Sequence, residues 1–558
     1  MKVAFVTTPP SVRSGIGDYA RHLLPYLREH CDVDVFVSSG HDEAAWGDQR
    51  ARLLDDLRPR EFDQILYQLG NERAHAFMPR VIRALGGTVV QHDWVLFDMA
   101  AAAWPALARG GAKGHALALR EGGLQQTQTY LRTWLARRRQ RLKPLGPSDT
   151  RGLEGTWLYG WYPPEASGRW TADCAAVRVP SDDVESIRVD LHVDGGRVVQ
   201  LHEGGRSHAR SDPGALELRP ANGQRPELTF EVSGVVITDE QRERGDVRRM
   251  GCFVRSIEYR DSRGEHRLDL SSPCAVPAGP VELSSARFEL PFNRSVVRFA
   301  DAFVVHSRYV AERIRRERNA PTPLGILHHG AEVRWRTGDR REARRKLGLP
   351  EEWIDSCLVV SFGGVQPHKR IHKILHGLAL ARRSREDIRL VLAGTLQSGD
   401  FDPIGMARAL GLEAAVRFTG FLPESQAWDW LHAGDFAINL RGPTTGGTSG
   451  GIFQAFSMGR PVIVSDAAEQ RELPDAAVVR VPLGEGEVET MARELVALRD
   501  DAPRREALEA GVRRFVEEQC HWSKVARKYV EYMETFPRAR ASRRKWMLVR
   551  AGLQRSAL

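Results

Sequence analysis

The chain has 558 residues, more than a single hydrophobic core normally supports, so two or three domains are expected. With 42% hydrophobic and 27% charged residues and no apolar run long enough for a bilayer, the composition is typical of a soluble globular protein. The net charge of +9 suits anionic partners such as nucleotides, lipid pyrophosphates or a membrane surface. No nucleic-acid motif accompanies this diffuse charge, so no nucleic-acid partner is expected.

The N-terminus and the cysteines predict a cytoplasmic protein. The apolar part of MKVAFVTTPP is too short for a signal peptide, and no cleavage site follows it. The six cysteines are scattered without a CxxC pair, so neither a disulfide framework nor a zinc site is expected.

The first stretch predicts a Rossmann-like βαβ unit. It is predicted as strand, loop, helix and strand over residues 2–7, 11–18, 19–28 and 33–37. The loop SVRSGIGD carries Gly15 and Gly17. A glycine turn before a helix is common, so this loop alone is weak evidence for a ligand site.

Polar residues follow the next two predicted strands. The strand 64–69 leads to Asn71 and His75, and the strand 88–91 delivers His92 and Asp93 at its C-terminal end. Ligands bind at that end in open α/β sheets. A single histidine is more often a satisfied core residue. The grouping favours a functional role for His92 and leaves His75 evenly balanced.

Residues 152–270 change character. Short runs of period-two alternation, separated by Gly, Asp, Pro and Asn, predict an antiparallel β-sandwich. Its aromatic residues Trp161, Tyr162 and Trp170 could stack on sugar rings or fill the core. Upstream, the basic stretch 130–143 is either a surface helix packed by its apolar stripe or a contact for a membrane or lipid-linked acceptor.

The chain then returns to α/β patterning with two glycine-rich loops. The strand 358–362 is followed by GGVQPHKR and a helix, so that Gly363 and Gly364 form the loop and Lys369 and Arg370 lie at the helix entrance. Small residues let a ligand approach the backbone, and a helix N-terminus attracts an anion.

The second loop lies in GPTTGGTSGGIFQAFSMGRPVIVSD, residues 442–466. Gly447 and Gly450 flank Thr448 and Ser449, whose hydroxyls add hydrogen-bond donors, and an apolar helical stretch follows. Two such loops in one α/β domain are a natural means of gripping a diphosphate.

These stretches carry a family resemblance. FGGVQPHKR, RLVLAGT, VRFTGFLP, AWDWLHAGDFAINL and GIFQAFSMGRPVIVSD occur in this order between Phe362 and Asp466. Their order and spacing resemble the C-terminal domain of retaining GT-B glycosyltransferases, family 4 in particular. SVRSGIGD, VVQHDW and ADAFVVHS resemble the N-terminal domain of the same enzymes, and ILHHGAEV resembles the hinge. The implied fold class is α/β: two Rossmann-like domains facing a cleft, with an all-β sandwich inserted in the N-terminal domain.

The resemblance also implies domain boundaries. They are residues 1–151 for the first part of the N-terminal acceptor domain, 152–270 for the inserted sandwich, 271–332 for the second part and the hinge, 333–520 for the nucleotide-sugar domain, and 521–558 for a crossover helix and a basic tail.

The implied activity is sugar transfer with retention, from a nucleotide-sugar donor to a saccharide or lipid-linked acceptor, in bacterial surface polysaccharide synthesis. No Asp-x-Asp motif stands at a plausible strand end, so neither metal nor cofactor is expected, and protein cations would neutralise the leaving diphosphate. His92 and Lys369 are the implied catalytic residues. The implied donor-binding residues are Gly15, Gly17, Gly363, Gly364, Lys369, Arg370, Gly447, Thr448, Ser449, Gly450 and Gln454. The implied acceptor-binding residues are Asn71, His75, His92 and Asp93.

The sequence departs from the family at three positions. Relatives often have arginine at Gly364 and usually have glutamates at Gly447 and Gln454, so altered donor recognition is expected. A nucleotide-sugar epimerase of the same fold, or a non-catalytic nucleotide- or sugar-binding protein, remains an alternative. The basic tail from Arg538 to Lys545, followed by an apolar cluster, predicts peripheral contact with an anionic membrane, on the inner face of the cytoplasmic membrane.

Overall fold

The computed structural model describes most of the chain. The described residues are 1–9, 12, 14–38, 45–46, 49–142, 155–165, 167–193, 197–204, 206–220, 225–233, 250–277, 288–336, 338–396, 403–484 and 486–536. The chain divides into two compact units. The first comprises Met1–Leu131, Leu283–Leu396 and Ala415–Leu558, and the second comprises Arg132–Glu282 and Gln397–Ala414.

The strands, in chain order, are β1 Lys2–Val6, β2 Asp32–Val37, β3 Ala45–Trp46, β4 Gln49–Arg50, β5 Arg52–Leu53, β6 Gln64–Leu69, β7 Thr88–Gln91, β8 Trp157–Glu165, β9 Gly168–Arg178, β10 Ser186–His192, β11 Val198–Glu203, β12 Arg206–Arg210, β13 Gly214–Leu218, β14 Glu227–Ser233, β15 Phe253–Asp261, β16 Gly264–Arg267, β17 Cys274–Pro277, β18 Ala302–Val305, β19 Leu324–Ile326, β20 Cys357–Phe362, β21 Ile388–Ala393, β22 Val416–Phe418, β23 Phe436–Asn439, β24 Val462–Ser465 and β25 Val478–Val481.

The α-helices are α1 Gly15–Arg28, α2 Met78–Leu85, α3 Phe97–Ala103, α4 Ala106–Arg109, α5 Gly111–Leu142, α6 Arg294–Phe299, α7 Arg308–Arg318, α8 Arg340–Lys346, α9 Glu351–Ile354, α10 Ile371–Arg382, α11 Pro403–Ala409, α12 Glu424–Ala433, α13 Gly450–Ser457, α14 Glu487–Asp500, α15 Ala502–Phe515 and α16 Trp522–Thr535. Short 3-10 turns cover Leu54–Asp56, Pro59–Glu61, Arg73–His75, Pro367–Lys369 and Ala468–Glu472, and a π-helical turn covers Val516–Cys520.

The first unit contains two parallel sheets. One has seven strands in the order β19-β18-β7-β6-β1-β2-β5, and the other has six in the order β22-β21-β20-β23-β24-β25. Every residue of β6, β7 and β18 is buried, because helices cover both faces of a parallel sheet. The two sheets confirm the predicted pair of Rossmann-like folds.

The strand order of the six-stranded sheet places its ligand site. The order reverses between β20 and β23, and ligands bind open parallel sheets where such a reversal occurs, beyond the carboxyl ends of the strands. The two glycine-rich loops follow β20 and β23. The sheet therefore brings the two predicted loops together at one point.

The C-terminal helix returns to the seven-stranded sheet. Tyr529 and Met533 of α16 are buried in the same core as Val3 and Phe5 of β1. The hydroxyl of Tyr529 lies 2.9 Å from that of Tyr19 on α1. The chain therefore crosses back to the sheet with which it began.

The described strands of the second unit form one mainly antiparallel sheet, and the unit also contains α11 and the end of α5. Ten strands are linked in one sheet with the path β12-β11-β14-β9-β15-β10-β13, with β16 beside β15, β8 beside β9, and β17 parallel to β8. The other pairings are antiparallel, as the alternation predicts. Because the strands are joined in one sheet around one core, a two-sheet sandwich is not confirmed.

The aromatic residues of β8 and β9 mostly fill that core. Trp161 is fully buried, its ring centroid lies 4.6 Å from that of Trp157 and 5.2 Å from that of Phe230, and its Nε1 donates to a main-chain carbonyl at 2.7 Å. Tyr162 is also buried, and half-buried Trp170 packs on Phe253. These contacts favour core packing over sugar stacking for Trp161.

Membrane contact was predicted as possible for the basic stretch 130–143 and expected for the basic tail. In α5, Tyr130 is fully buried and its hydroxyl donates to the Leu107 carbonyl at 2.7 Å, whereas Leu135 is 45% exposed, so the apolar residues of this stretch pack inward only in part. The basic tail beyond Phe536 lies outside the described residues. Across the part of the chain that the structure describes, no helix is both long and apolar enough for a bilayer crossing.

Candidate functional site

Lys369 is a cation without a counter-ion at the loop after β20. Gly363 has a φ of 110°, in the region that favours glycine, and a Cβ there would lie 2.4 Å from the Lys369 Nζ. Within the described ranges no carboxylate contacts this ammonium. Burial, with a smaller effect of nearby Arg441, lowers the pKa of Lys369 to about 7.

Arg441 is a second cation, which sequence reasoning missed. It follows β23, and its main-chain N–H donates to the Ser465 hydroxyl at 2.9 Å. Its Nε is buried and has no hydrogen-bond partner in the described part of the chain. Nor does the guanidinium form an ion pair with any residue the structure describes. The available signal was a basic residue just beyond a strand end at the point where the strand order reverses.

Glu469 is the buried acid on the same side as Arg441. Its carboxyl accepts from the Thr444 hydroxyl at 3.1 Å. Burial raises the pKa of Glu469 to about 7, although the charge of Arg441 opposes the shift. This acid therefore compensates Arg441 only in part near neutral pH.

Arg370, in contrast, is already paired. Its guanidinium donates through two nitrogens to the two carboxylate oxygens of Glu487, which is 1% exposed. Because this ion pair already neutralises the guanidinium charge, Arg370 attracts an anionic ligand only weakly. The structure thus separates Lys369 from Arg370, which the sequence grouped together.

The N-terminus of α13 opens at the same point. Ser449 is the N-cap, and its side chain makes no capping hydrogen bond. A Cβ on Gly451 would lie 2.8 Å from the Phe362 carbonyl oxygen, so glycine lets the helix approach the end of β20. The first N–H groups of a helix lack intrahelical partners and attract anions. Gln454 is half-buried one turn further on.

His92 lies at the end of β7, as predicted, but its ring faces the protein. It is 8% exposed, with Nε2 2.9 Å from the Gln68 Oε1 and Nδ1 3.2 Å from the His306 Nε2. The Leu327 carbonyl can only accept, so a neutral His306 donates to it from Nδ1 and accepts from His92 at Nε2. The His92 Nε2 is then an acceptor, and the Gln68 amide is assigned in the reversed orientation, with its Nε2 donating to His92.

This assignment fixes the tautomers. The His92 Nδ1 then donates to His306, whose Nδ1 donates to the Leu327 carbonyl at 3.2 Å. Burial holds the pKa of His92 well below its usual value and lowers that of His306 to about 3, so both rings are neutral. Both nitrogens of His92 are therefore engaged, and the geometry gives its predicted catalytic role no direct support.

The other residues predicted for the acceptor also have protein partners. The His75 Nδ1 lies 3.2 Å from the Gly70 carbonyl oxygen, and burial lowers the pKa of His75 to about 4. The Asn71 side chain accepts from the Asp98 N–H at 2.7 Å and donates to its carboxylate at 3.1 Å. Both side chains stabilise the turn after β6.

The start of α1 already holds a carboxylate. Ser14 caps the helix by accepting from the Gly17 N–H at 3.0 Å. Glu72 accepts from the Ser14 hydroxyl and from the N–H groups of Gly15 and Ile16. Burial raises the pKa of Glu72 and these hydrogen bonds oppose the shift. A phosphate at Gly15 and Gly17 would have to compete with this carboxylate.

Asp93 joins the two sheets. Its Oδ1 accepts from the Thr445 hydroxyl at 2.7 Å and its Oδ2 from the Asn71 N–H at 2.9 Å. The Val95 N–H donates to the Thr445 carbonyl at 2.8 Å. The loop after β23 is thus fastened to the loop after β7.

The geometry therefore separates the predicted residues that lie near the strand reversal from those that are bonded elsewhere in the protein. Around the strand reversal it brings together Gly363, Gly364, Lys369, Gly447, Thr448, Ser449 and Gly450, and it adds Arg441. Within the described ranges no group of three or more His, Cys, Asp or Glu side chains could hold a metal ion. Metal independence stays a prediction.

The family described as Glycosyl transferases group 1 matches residues 356–501. Over 153 residues the chain is 31% identical to D-inositol 3-phosphate glycosyltransferase 2 of Catenulispora acidiphila, a match covering 26% of this chain and 35% of that protein. D-inositol 3-phosphate glycosyltransferase 1 of the same organism is 28% identical over 257 residues, covering 44% of this chain and 60% of that protein. The matches thus span about a third to three fifths of the length of these relatives.

Among solved structures, the chain is similar to Alr3699/HepE of Anabaena in complex with UDP. The TM-score is 0.39 and the sequence identity 18%, with 46% of this chain and 70% of that chain covered.

Proposed function

From the premise that residues 356–501 form a Glycosyl transferases group 1 domain, we propose that the protein transfers a sugar from a nucleotide-sugar donor to a saccharide or lipid-linked acceptor. The proposal rests on one observation: Lys369 and Arg441, which form no ion pair with the residues that the structure describes, lie at the open N-terminus of α13. These groups suit a donor diphosphate, which carries negative charge and gains more when the glycosidic bond breaks.

Each group has a role in that reaction. Lys369 and Arg441 neutralise the charge that develops on the leaving diphosphate, and the first N–H groups of α13 hold its oxygens in place. The hydroxyls of Thr448 and Ser449 donate to the same oxygens. We further propose that the reaction proceeds with retention and without a metal ion, and that it serves surface polysaccharide synthesis. The names of the two relatives add D-inositol 3-phosphate to the acceptors worth testing.

The test is a donor screen. Thermal shift across nucleoside diphosphates and their sugars identifies the base, since a ligand at about a hundred times its dissociation constant adds about 2.7 kcal/mol of stability. Mass spectrometry then detects transfer to candidate saccharide, lipid-linked and inositol phosphate acceptors. Conversion of a nucleotide sugar without an acceptor would instead indicate the epimerase, and tight binding without turnover or hydrolysis a binding protein.

Substitution of Arg441 is the most direct test of the proposed diphosphate site. Arg441→Ala should weaken nucleoside-diphosphate binding by about 1.5–3 kcal/mol, the range for a hydrogen bond to a charged group. Calorimetry measures the change. Arg316→Ala is the matched control, since Arg316 is 76% exposed in an ion pair within α7. Equal affinities of the Arg441 variant and the parent would remove Arg441 from the site.

A further inference from the structure

The side chain of Asp93 occupies the space that any side chain at position 447 would need. A Cβ on Gly447 would lie 2.0 Å from the Asp93 Oδ1, 3.0 Å from its Cγ and 3.2 Å from the His92 carbonyl oxygen. Cβ atoms essentially never lie 2.0 Å from an oxygen, so the carboxylate of Asp93 can hold this position only because residue 447 is glycine. The carboxyl group therefore projects from the seven-stranded sheet into the glycine-rich loop of the six-stranded sheet.

The carboxyl group of Asp93 is held in a fixed orientation. Oδ1 accepts from Thr445 and Oδ2 from the Asn71 N–H, at 2.7 and 2.9 Å. Gly70 lies close on the other side, since a Cβ there would be 2.8 Å from Oδ2. Each oxygen still has acceptor capacity after these bonds. A rigid acceptor of this kind suits recognition of hydroxyl groups, which donate hydrogen bonds in defined directions.

The cations of the diphosphate site surround the same loop. The charge of Arg441 acts both on Lys369 and on Asp93. Asp93 lies against Gly447, three residues before the start of α13 at Gly450. A sugar attached to a diphosphate at that helix start therefore lies within reach of this part of the loop.

We propose that Asp93 binds hydroxyl groups of the donor sugar and determines which sugars the protein accepts. This inference rests on the proposed function and changes the role expected from the sequence, which placed Asp93 with the acceptor. A site built to hydrogen-bond a hydroxyl group rejects an analogue that lacks it, because the buried acceptor is then left unpaired.

The test measures the contribution of the sugar to the binding affinity separately from that of the diphosphate. Calorimetry compares UDP with UDP-glucose, and GDP with GDP-mannose, on the parent and on Asp93→Asn, whose amide oxygen can still accept from Thr445. The variant should bind the nucleotide sugar at least about tenfold more weakly, while the affinity for the nucleoside diphosphate changes less than about twofold. Asp98→Asn is the matched control, since Asp98 is a neighbouring half-buried carboxylate that also accepts a hydrogen bond from Asn71.

Two results would overturn the inference while leaving the proposed function in place. One is an equal loss for sugar and diphosphate, which would mean that Asp93 only positions the loop. The other is no loss for either. If the parent binds no nucleotide, the proposed function fails, and the inference fails with it.

A second variant covers the case in which Asp93→Asn does not fold. Thr445→Val removes the hydroxyl that orients the Oδ1 of Asp93 and keeps the shape of the side chain. It should also weaken nucleotide-sugar binding without changing nucleoside-diphosphate binding. Unchanged affinity for the nucleotide sugar would overturn the inference.

Discussion

The half-buried Lys369 has no carboxylate partner among the described residues, and burial lowers its pKa to about 7. A bound diphosphate would favour the charged form and raise the pKa again. Binding should therefore take up a proton at pH 8, and the affinity should fall as the pH rises above about 7. Calorimetry in buffers of different ionisation enthalpy measures the uptake.

Lys369→Met and Lys346→Met form the matched pair for this experiment, since Lys346 is 73% exposed and paired with Glu342. The proton uptake should disappear in the first variant and persist in the second. Equal uptake in both would show that another group takes the proton.

Gly447 yields a second prediction at this scale. A glutamate there would introduce the residue expected from the family resemblance, yet its Cβ would lie 2.0 Å from the Asp93 Oδ1 and 3.2 Å from the His92 carbonyl oxygen. Gly447→Glu should therefore lower both activity and the melting temperature. Adding Asp93→Gly removes the obstructing carboxylate and should recover part of the loss. Gly338→Glu is the control, since Gly338 is an exposed glycine outside the site whose nearest obstacle is the His432 Nε2 at 3.7 Å. A stable Gly447→Glu variant with raised activity would contradict the expectation.

The sequence identified some site residues because their signal is local. Lys369 follows a glycine-rich loop after an apolar strand, and this pattern lies within a few residues. Arg370 belongs to the same pattern, but its partner Glu487 lies 117 residues away and no local pattern reveals the pairing. One of the two hydrogen-bond partners of the His92 ring is likewise distant, since His306 lies 214 residues away.

At the scale of elements, β17 covers one edge of β8 and is expected to stabilise it. It pairs with β8 in parallel, and the Trp157 Nε1 donates to the Asp269 carbonyl at 2.9 Å. A fragment of residues 152–270 would end before β17 and leave that edge of β8 unpaired. We expect a fragment of 155–277 to be folded by circular dichroism and to melt at a higher temperature than 152–270. Equal melting temperatures would show that β17 contributes nothing.

The same sheet shows which features the alternation of apolar residues can predict and which it cannot. Alternation fixes which side chains of a strand share a face, and the burial of alternate residues in β10 follows it. It does not identify the pairing partner, and β9 pairs with β14, which lies about fifty residues further along. Periodicity therefore predicted antiparallel strands correctly but could not decide between two sheets and one.

At the scale of the whole first unit, His22 ties α1 to the rest of the chain. Its Nδ1 lies 3.2 Å from the Oε1 of Glu332, in the segment after β19, and its Nε2 lies 2.8 Å from the Oε1 of Glu424, on α12. The link thus joins the part of the chain around the seven-stranded sheet to the part around the six-stranded sheet.

His22 makes this link dependent on pH. Burial alone would lower the pKa of His22, but the hydrogen bonds and charges of Glu332 and Glu424 outweigh it and raise the pKa to about 9. An unfolded histidine titrates near about 6.5. The group therefore contributes its full stability below about pH 6.5, and the contribution is lost as the pH rises through about 9.

The final prediction is that His22→Gln destabilises the protein by about 1–2 kcal/mol below pH 6.5 and by much less at pH 10. The range is reduced from the full shift because Glu424 is 36% exposed and water weakens its attraction. Melting temperatures of the variant and parent, compared from pH 6 to pH 10, measure the difference. His30→Gln, an exposed histidine just beyond the same helix, should show no pH-dependent difference. A His22→Gln difference of constant size across this range would mean that His22 acts through packing and not through its charge.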